Sequence, residues 1–325
     1  MNWNEYGAFI IEETKNLLAI DSPSGMTKKA AEHVAARFEA LGYAPQTTRK
    51  DGVLVCLGGR DQENGLLLEA HMDTLGGMVC QIKANGRLKI TPIGGLRAEN
   101  VETENCRVVT KFDGVIEGTA QLINASTHVN EKYADTQRTF DTVEIVLDEP
   151  VADAEGVKKL GVRTGDYVCF EPRTRVTQSG YIKSRFLDDK LSVGILLGYA
   201  KYLKDEQITP ERAVYVHITS FEEVGHGGSA SVPAGVTEAI SVDMGCVGEG
   251  LTCDERMVSI CAKDSGGPYH YDVVRGLIAA AEKMGAPYAV DVYPRYGSDV
   301  EATLRAGYDI RHGLIGSGVY ASHGY

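Results

Sequence analysis

Two adjacent carboxylates, Glu222 and Glu223, stand directly after an apolar run from Ala213 to Phe221 and directly before a loop of small residues. The run predicts a buried strand, and neighbouring residues of a strand point to opposite faces, so the two acids would not share one solvated surface. One glutamate of such a pair can bind a metal ion while the other takes up a proton. The pair alone is equally compatible with two surface acids at a solvated strand end.

A second candidate, the triplet His71-Met72-Asp73, follows the apolar segment from Leu66 to Ala70. Such a segment is typical of a strand buried on both faces of an α/β sheet. Ligands of these sheets gather at the carboxyl ends of the strands, which is where His71 and Asp73 lie. Asp73 could hold the His71 ring through its second nitrogen, as the partners of metal-bound histidines do. The alternative is a core histidine beside a turn aspartate.

Further acids and a histidine stand at other predicted strand ends or strand-to-helix turns. Asp188 and Asp189 precede an amphipathic helix, where two acids could equally be only a helix cap. Asp243 ends another apolar segment, and His323 lies near the end of the chain. Zinc binds histidine nitrogen and carboxylate oxygen, and two ions about 3.5–4 Å apart need a bridging carboxylate with terminal ligands on each side. One set meets that requirement and leaves one glutamate as general base: His71, Asp188, Glu222, Glu223, Asp243 and His323.

The elements that must position these residues follow an α/β pattern in two parts of the chain. Two amphipathic helices are predicted before Gly42, and buried strands follow them. Between about Met78 and Phe170, strand-like segments replace helices, and Ala84-Asn85-Gly86 predicts a hairpin. The sequence therefore predicts an α/β domain into which a small β-rich domain is inserted. The predicted boundaries are 1–77 and 173–325 for the α/β domain and 78–172 for the insertion.

Composition excludes several classes of protein. The chain has 325 residues, 43% of them hydrophobic, and contains no run of eighteen apolar residues that would predict a membrane span. A net charge of -12 without a basic run argues against nucleic-acid binding. The seven cysteines are dispersed, and the polar first residues lack the apolar core of a signal peptide. We therefore expect a cytoplasmic protein with reduced thiols.

The order and content of these motifs resemble the tetrahedral aminopeptidases, a cytoplasmic family of metallopeptidases with two co-catalytic metal ions. The motifs that carry the resemblance span nearly the whole chain: Pro23-Ser24-Gly25, Glu69-Ala70-His71-Met72-Asp73, Leu187-Asp188-Asp189-Lys190, Glu222-Glu223-Val224-Gly225, Val242-Asp243-Met244 and Ser322-His323. The resemblance implies a three-layer metallopeptidase fold, of the phosphorylase/hydrolase-like type with a mixed sheet, and a dimerisation role for the β-rich insertion. It also implies two divalent ions per subunit, zinc or cobalt, a peptide substrate, and a homo-oligomer built from dimers, typically a dodecamer.

The resemblance also implies a metal-binding role for five residues. Asp188 would bridge the two ions. His71 and Asp243 would complete the coordination of one ion, and Glu223 and His323 that of the other.

Other residues would act beside the ions. Glu222 would be the general base and later the acid that protonates the leaving amine. Asp73 would orient His71, and Asp189 would follow its neighbour across an unusual peptide bond. Lys190 stands where the family more often has arginine, although related amidohydrolases and carboxypeptidases of the same clan carry Asp-Asp-Lys. The final segment also departs from the family's commoner Tyr-Met-His-Ser form.

The sequence thus favours a metal-dependent aminopeptidase that removes the N-terminal residue of short peptides. A clan-related amidohydrolase or deacylase would use the same metals on an acylated or modified dipeptide. A glycosidase would use Glu222 or Glu223 with a partner acid and would need no histidine. A non-catalytic scaffold would not need an intact ligand set. An acidic group should hold the substrate's free amine, and Asp299 is a candidate, although a helix cap is the more common role of an aspartate at such a position.

Overall fold

The computed structural model describes residues 3–324, and the described residues form six α-helices and sixteen strands. The helices are α1 (Trp3–Leu18), α2 (Lys28–Ala40), α3 (Ala154–Lys159), α4 (Leu187–Asp205), α5 (Tyr271–Met284) and α6 (Asp299–Arg305). The strands are β1 (Gln46–Thr47), β2 (Val53–Gly58), β3 (Asp61–His71), β4 (Gly76–Ile82), β5 (Leu88–Ile93), β6 (Asn105–Val109), β7 (Val115–Leu122), β8 (Val143–Leu147), β9 (Tyr167–Phe170), β10 (Arg175–Val176), β11 (Ile182–Lys183), β12 (Arg212–Thr219), β13 (Val236–Val247), β14 (Val258–Lys263), β15 (Tyr288–Val292) and β16 (Arg311–Tyr320).

Eight strands form one mixed sheet in the order β1-β2-β12-β3-β13-β16-β14-β15. The four central strands, β12, β3, β13 and β16, run parallel to one another. β2 is antiparallel to β12, and β14 is antiparallel to β16, so the antiparallel pairings flank the parallel centre. This confirms the predicted mixed sheet and brings the carboxyl ends of the central strands to one edge.

Helices cover both faces of this sheet, because its central strands are apolar on both faces. Leu17 of α1 and Leu197 of α4 pack with Ala70 of β3 in one buried cluster. The neighbouring face of β3 presents Leu67, which packs in a second cluster with Val300 of α6. Residues that alternate along β3 therefore serve opposite layers, and the predicted three-layer fold is confirmed.

The inserted segment is a closed barrel of the strands β4-β5-β8-β7-β6-β9. The predicted hairpin joins β4 to β5, which pair antiparallel, and Gly86 adopts the left-handed conformation with φ of 77°. By internal contacts the chain divides into two units. One contains Thr174–Ser322 and everything described before Leu75, and the other contains Leu75–Arg173 together with His323. The junctions predicted from the sequence lie at 77/78 and 172/173.

Two features of the sheet differ from the expectations. β13 does not end before Asp243 but continues to Val247, although its pairing with β3 ends at Ser241. β16 was not predicted, because its three glycines interrupt the apolar pattern that identifies a central strand. Among the described helices, none is both long and apolar enough to cross a membrane.

Candidate metal centre

The candidate residues of the α/β unit meet where the central parallel strands end. Thr219 of β12 pairs with His71 of β3, so the segment that carries Glu222 begins beside His71. Asp243 lies on β13, the other neighbour of β3, just beyond the last residue paired with it. Phe221, with φ of 72°, adopts the left-handed conformation that turns the chain from β12 into a 3₁₀ turn at Glu222–Val224.

Two groups of side chains place potential ligand atoms within 4.8 Å of one another. The first contains His71, Asp189 and Asp243, and the second contains His71, Asp188 and Glu223. His71 Nε2 lies 3.1 Å from Asp188 Oδ1. We call Asp188, Asp189, Glu222, Glu223 and Asp243 the acid cluster.

Glu222 belongs to neither ligand group but lies beside them. Its Oε2 is 3.7 Å from His71 Nε2, and 16% of its side chain is exposed. An acid next to the ligand atoms and still open to solvent has the location that a general base needs.

His71 lies against Asp73, mainly against its backbone, and the orienting role of Asp73 stays a prediction. The ring nitrogen Nδ1 lies 2.9 Å from the carbonyl oxygen of Asp73 and 3.6 Å from its carboxylate. This contact leaves Nε2 pointing toward the acids.

The Asp73 carboxylate has a further task that the sequence did not reveal. It accepts hydrogen bonds from the backbone amides of Glu222, at 3.1 Å, and Glu223, at 3.3 Å. The hydroxyl of Ser24 donates to the same carboxylate at 2.5 Å. The Pro23-Ser24-Gly25 motif and the His-x-Asp motif are thus joined beside Glu222 and Glu223.

The peptide bond between Asp188 and Asp189 is cis, so the unusual bond that the resemblance implied is present. Both residues depart from helical backbone angles although they lie within α4. The structure assigns the two aspartates to different ligand groups, whereas the resemblance gave only Asp188 to the metals. The bridging role of Asp188 stays a prediction.

The surroundings of the Asp189 carboxylate also favour a cation site. One carboxylate oxygen accepts the backbone amide of His71 at 3.1 Å, and the other is buried with no hydrogen-bond partner. Such an atom is costly to bury unless something positively charged meets it.

The Lys190 ammonium contacts the chain at the end of α1. Its buried ammonium donates to the carbonyls of Leu17, at 3.0 Å, and Ile20, at 2.6 Å. These carbonyls stand at the end of α1, where a cation also complements the helix dipole.

The electrostatics of the acid cluster call for positive charge. Burial, followed by the charge of Asp188, raises the pKa of Asp243 to about 7. Burial also raises the pKa values of Glu222 and Asp189 well above their usual range. Burial by itself lowers the pKa of His71, but its hydrogen bond to Asp188 and the other acids more than offset this, so the net pKa lies well above the usual value. Histidine nitrogen and carboxylate oxygens are suitable ligands for divalent ions, which would replace the protons that the cluster otherwise retains.

His323 belongs to the other unit and to neither ligand group. It is exposed, its backbone φ is 61°, and its carbonyl accepts a hydrogen bond from the Asn100 side chain at 2.8 Å. Its ring lies against Gly95, where an added Cβ would come within 2.6 Å of Nδ1. A metal-binding role for His323 stays a prediction from the sequence.

Asp299 is buried at the start of α6, and both of its carboxylate oxygens accept hydrogen bonds from the chain. Oδ1 accepts the backbone amide of Gly228 at 2.6 Å, and Oδ2 accepts the hydroxyl of Thr219. Burial and the nearby charge of Glu69 raise the pKa of Asp299 to about 7. Its predicted contact with a substrate amine stays a prediction.

Two further residues at the site carried no recognisable sequence signal. The Tyr296 hydroxyl donates to the carbonyl of Met244 at 3.0 Å, and its proximity to Asp243 opposes the rise of that residue's pKa. Lys50 donates to the loop that follows the glutamates. Each stands in a turn or loop, where only the tertiary structure decides which groups meet.

Comparison with known proteins agrees with this geometry. The profile of a family described as M42 glutamyl aminopeptidase matches residues 51–325. The chain is 41% identical over 315 residues to YhfE of Bacillus subtilis strain 168, a protein named as a candidate aminopeptidase, with 97% of this chain and 91% of that protein covered. It is 24% identical over 226 residues to the glutamyl aminopeptidase of Lactococcus lactis subsp. cremoris, with 68% and 61% covered.

A solved structure shares the fold. The TET1 peptidase of Pyrococcus horikoshii, described as assembling into a tetrahedron or a large octahedral shell, matches with a TM-score of 0.84 at 23% identity, with 97% of this chain and 92% of that chain covered. Together with the profile match and the relative at 41% identity, this confirms the resemblance that the motifs indicated. The chain belongs to the M42 glutamyl aminopeptidase family and is a peptide hydrolase of the aminopeptidase type.

Proposed function

We propose that this aminopeptidase uses two divalent metal ions, zinc or cobalt, with Glu222 as general base, to remove the N-terminal residue of short peptides. The observation that carries the proposal is the position of His71 Nε2. It lies 3.1 Å from Asp188 and 3.7 Å from Glu222, among buried carboxylates at the ends of parallel strands. A glycosidase would need only a pair of acids and leaves this histidine without a role.

The ligand groups suggest how the ions would be held. Both groups contain His71, but an imidazole whose Nδ1 faces a carbonyl has one nitrogen left for a single ion. A second ion therefore needs another ligand, and the family resemblance assigns that role to His323. Asp188, Asp189, Glu223 and Asp243 would supply the oxygens.

When bound, divalent ions would polarise the scissile carbonyl and lower the pKa of the attacking water. The chain's own part in the reaction is proton transfer. As water attacks the carbonyl carbon, the Glu222 carboxylate takes a proton from it and a carbon–oxygen bond forms. As the carbon–nitrogen bond breaks, Glu222 returns that proton to the leaving amine. The raised pKa of Glu222 suits a group that must both accept and return a proton.

We also propose a homo-oligomer built from dimers and a cytoplasmic location. The assembly described for the TET1 relative supports the first, and the absence of disulfides among the seven cysteines is consistent with a reducing compartment. Native mass spectrometry of the purified chain should give an even number of subunits. A monomer at micromolar concentration would contradict the assembly.

The activity is tested by hydrolysis of free and N-acetylated aminoacyl substrates, beginning with a glutamyl substrate. The protein is assayed as purified, after chelation, and after return of Zn²⁺, Co²⁺ or Mn²⁺, with bound metal counted by elemental analysis. We expect only free-amine substrates to be cut, and activity to disappear and return with the metal. Preference for acetylated substrates would instead indicate a deacylase, and activity unaffected by chelation would reject the metal site.

A further inference from the structure

The segment Glu222–Ser229, here called the catalytic segment, is not held by the sheet that precedes it. It begins after the left-handed Phe221, contains a second left-handed residue at Gly225, and makes no strand. Its backbone groups must therefore find partners elsewhere, and those partners fix where the carboxylate of Glu222 lies.

The front of the catalytic segment is fixed by Asp73, which accepts the amides of Glu222 and Glu223. The rear is fixed by α6. Asp299 accepts the amide of Gly228 at 2.6 Å, and the Thr303 hydroxyl donates to the carbonyl of the same glycine at 2.7 Å.

At Gly227 and Gly228, α6 lies too close to the segment for a side chain. A Cβ added to Gly227 would lie 2.4 Å from Asp299 Oδ1, and one added to Gly228 would lie 2.4 Å from the Asp299 carbonyl oxygen. The paired glycines therefore allow the backbone to reach the carboxylate directly.

Lys50 holds the segment from the turn between β1 and β2. Its ammonium donates to the carbonyls of His226, at 2.5 Å, and Gly227, at 2.8 Å, and to the Ser229 hydroxyl at 3.0 Å. Three donors on one lysine thus meet three acceptors within four residues of the chain. Burial lowers the pKa of this ammonium, and among the acids around it the charge of Asp299 opposes that fall most strongly.

We propose that Asp299 and Lys50 form a clamp that grips His226–Ser229 and thereby positions Glu222 for proton transfer. The inference rests on the proposed role of Glu222, and it assigns Asp299 to the enzyme's own backbone instead of to a substrate amine. Both residues act through the segment and not on the reacting atoms, so they are positioning residues.

The test compares Asp299→Asn and Lys50→Met with wild type in the full-length, metal-loaded protein. Asp291→Asn and Lys204→Met are the matched controls. Asp291, on β15, is also a buried aspartate, and it accepts two backbone amides outside the catalytic segment. Lys204, on α4, is also a lysine that donates to a backbone carbonyl outside that segment. We expect kcat to fall about 10–100-fold in the clamp variants, as for outer partners of catalytic groups, with KM and metal content close to wild type. Lys50→Arg should recover much of the loss.

Hydrogen exchange provides a readout that does not depend on activity. The amides of the catalytic segment should exchange faster in both clamp variants and not in the controls. Unchanged kcat and unchanged exchange would overturn the clamp, and so would a raised KM for free-amine substrates with kcat intact, which would mark Asp299 as the amine receptor. If Asp299→Asn does not fold, Lys50→Met decides. If the loaded wild type cleaves no peptide, the proposed function fails, and exchange alone judges the clamp.

Discussion

The acid cluster and the clamp bury the same kind of group under opposite conditions. In the cluster, three buried aspartates and two half-buried glutamates lie around a single histidine, and one Asp189 oxygen has no hydrogen-bond partner. In the clamp, the buried Asp299 carboxylate receives an amide and a hydroxyl, and Lys50 supplies a positive charge nearby. The clamp is complete as polypeptide, whereas the cluster needs a cation from outside.

This difference separates two tasks within one site. Satisfied hydrogen bonds give a fixed geometry, which is what a proton-transfer group needs from its support. Carboxylates crowded together give affinity for an ion, because binding removes their mutual repulsion and gives the unpaired Asp189 oxygen a partner. Variants in the acid cluster should therefore abolish metal binding or the reaction. Variants of the residues that hold the catalytic segment should lower kcat by smaller factors.

The largest effect should come from Glu222→Gln. The amide cannot accept a proton, so kcat should fall about 10²–10⁴-fold, the range that general acid–base catalysis contributes. Metal content should remain at the wild-type value, because Glu222 belongs to neither ligand group. Glu223→Gln is the matched control: it should lose bound metal together with activity. Steady-state kinetics give kcat and elemental analysis gives the metal content of both variants. Loss of metal in Glu222→Gln would show that Glu222 is a ligand.

The acid cluster could be predicted from the sequence more fully than the clamp. His71, Glu222 and Asp243 follow apolar runs long enough to identify central strands, and parallel strands bring their ends together. The predicted sheet, the hairpin and the start of α6 at Asp299 all follow from such local patterns.

The clamp depends on contacts between segments that are distant in the sequence. Lys50 meets Gly227 across 177 positions of the chain, and Asp299 meets Gly228 across 71. A turn lysine and a helix-start aspartate have common local explanations, and nothing in their neighbours reveals such a partner. The division of Asp188 and Asp189 between two ligand groups likewise depends on backbone angles that no periodicity encodes.

The pH dependence of stability should differ between the cluster and the clamp. The pKa of Asp243, like that of Asp299, is raised to about 7, whereas an unfolded aspartate has a pKa of about 3.9. Between these values the folded protein keeps a proton that the unfolded chain releases, so each group makes the metal-free protein less stable as pH rises toward 7. A bound ion would replace the proton on Asp243 but not that on Asp299.

Melting temperatures with and without metal, followed from about pH 5 to about pH 8, test this. The difference between loaded and metal-free protein should widen as pH rises. Asp243→Asn should flatten the slope only in the metal-free protein, whereas Asp299→Asn should flatten it in both states. Parallel curves for loaded and metal-free wild type would show that the ion does not replace protons in the cluster.

The smallest effect should come from the front support, in Ser24→Ala. Ser24 donates to the Asp73 carboxylate, which in turn holds the amides of Glu222 and Glu223. A hydrogen bond to a charged group is worth about 1.5–3 kcal/mol, and because the two amides remain, only part of this should reach the transition state, so kcat should fall by less than about tenfold. Ser22→Ala is the matched control, since Ser22 is equally buried but donates to the carbonyl of Met72. Both variants should lose some thermal stability, and only Ser24→Ala should lose rate. Equal kcat values in the two variants would mean that the hydrogen bonds to the catalytic segment hold Asp73 without Ser24. The position of Glu222 would then depend mainly on the clamp.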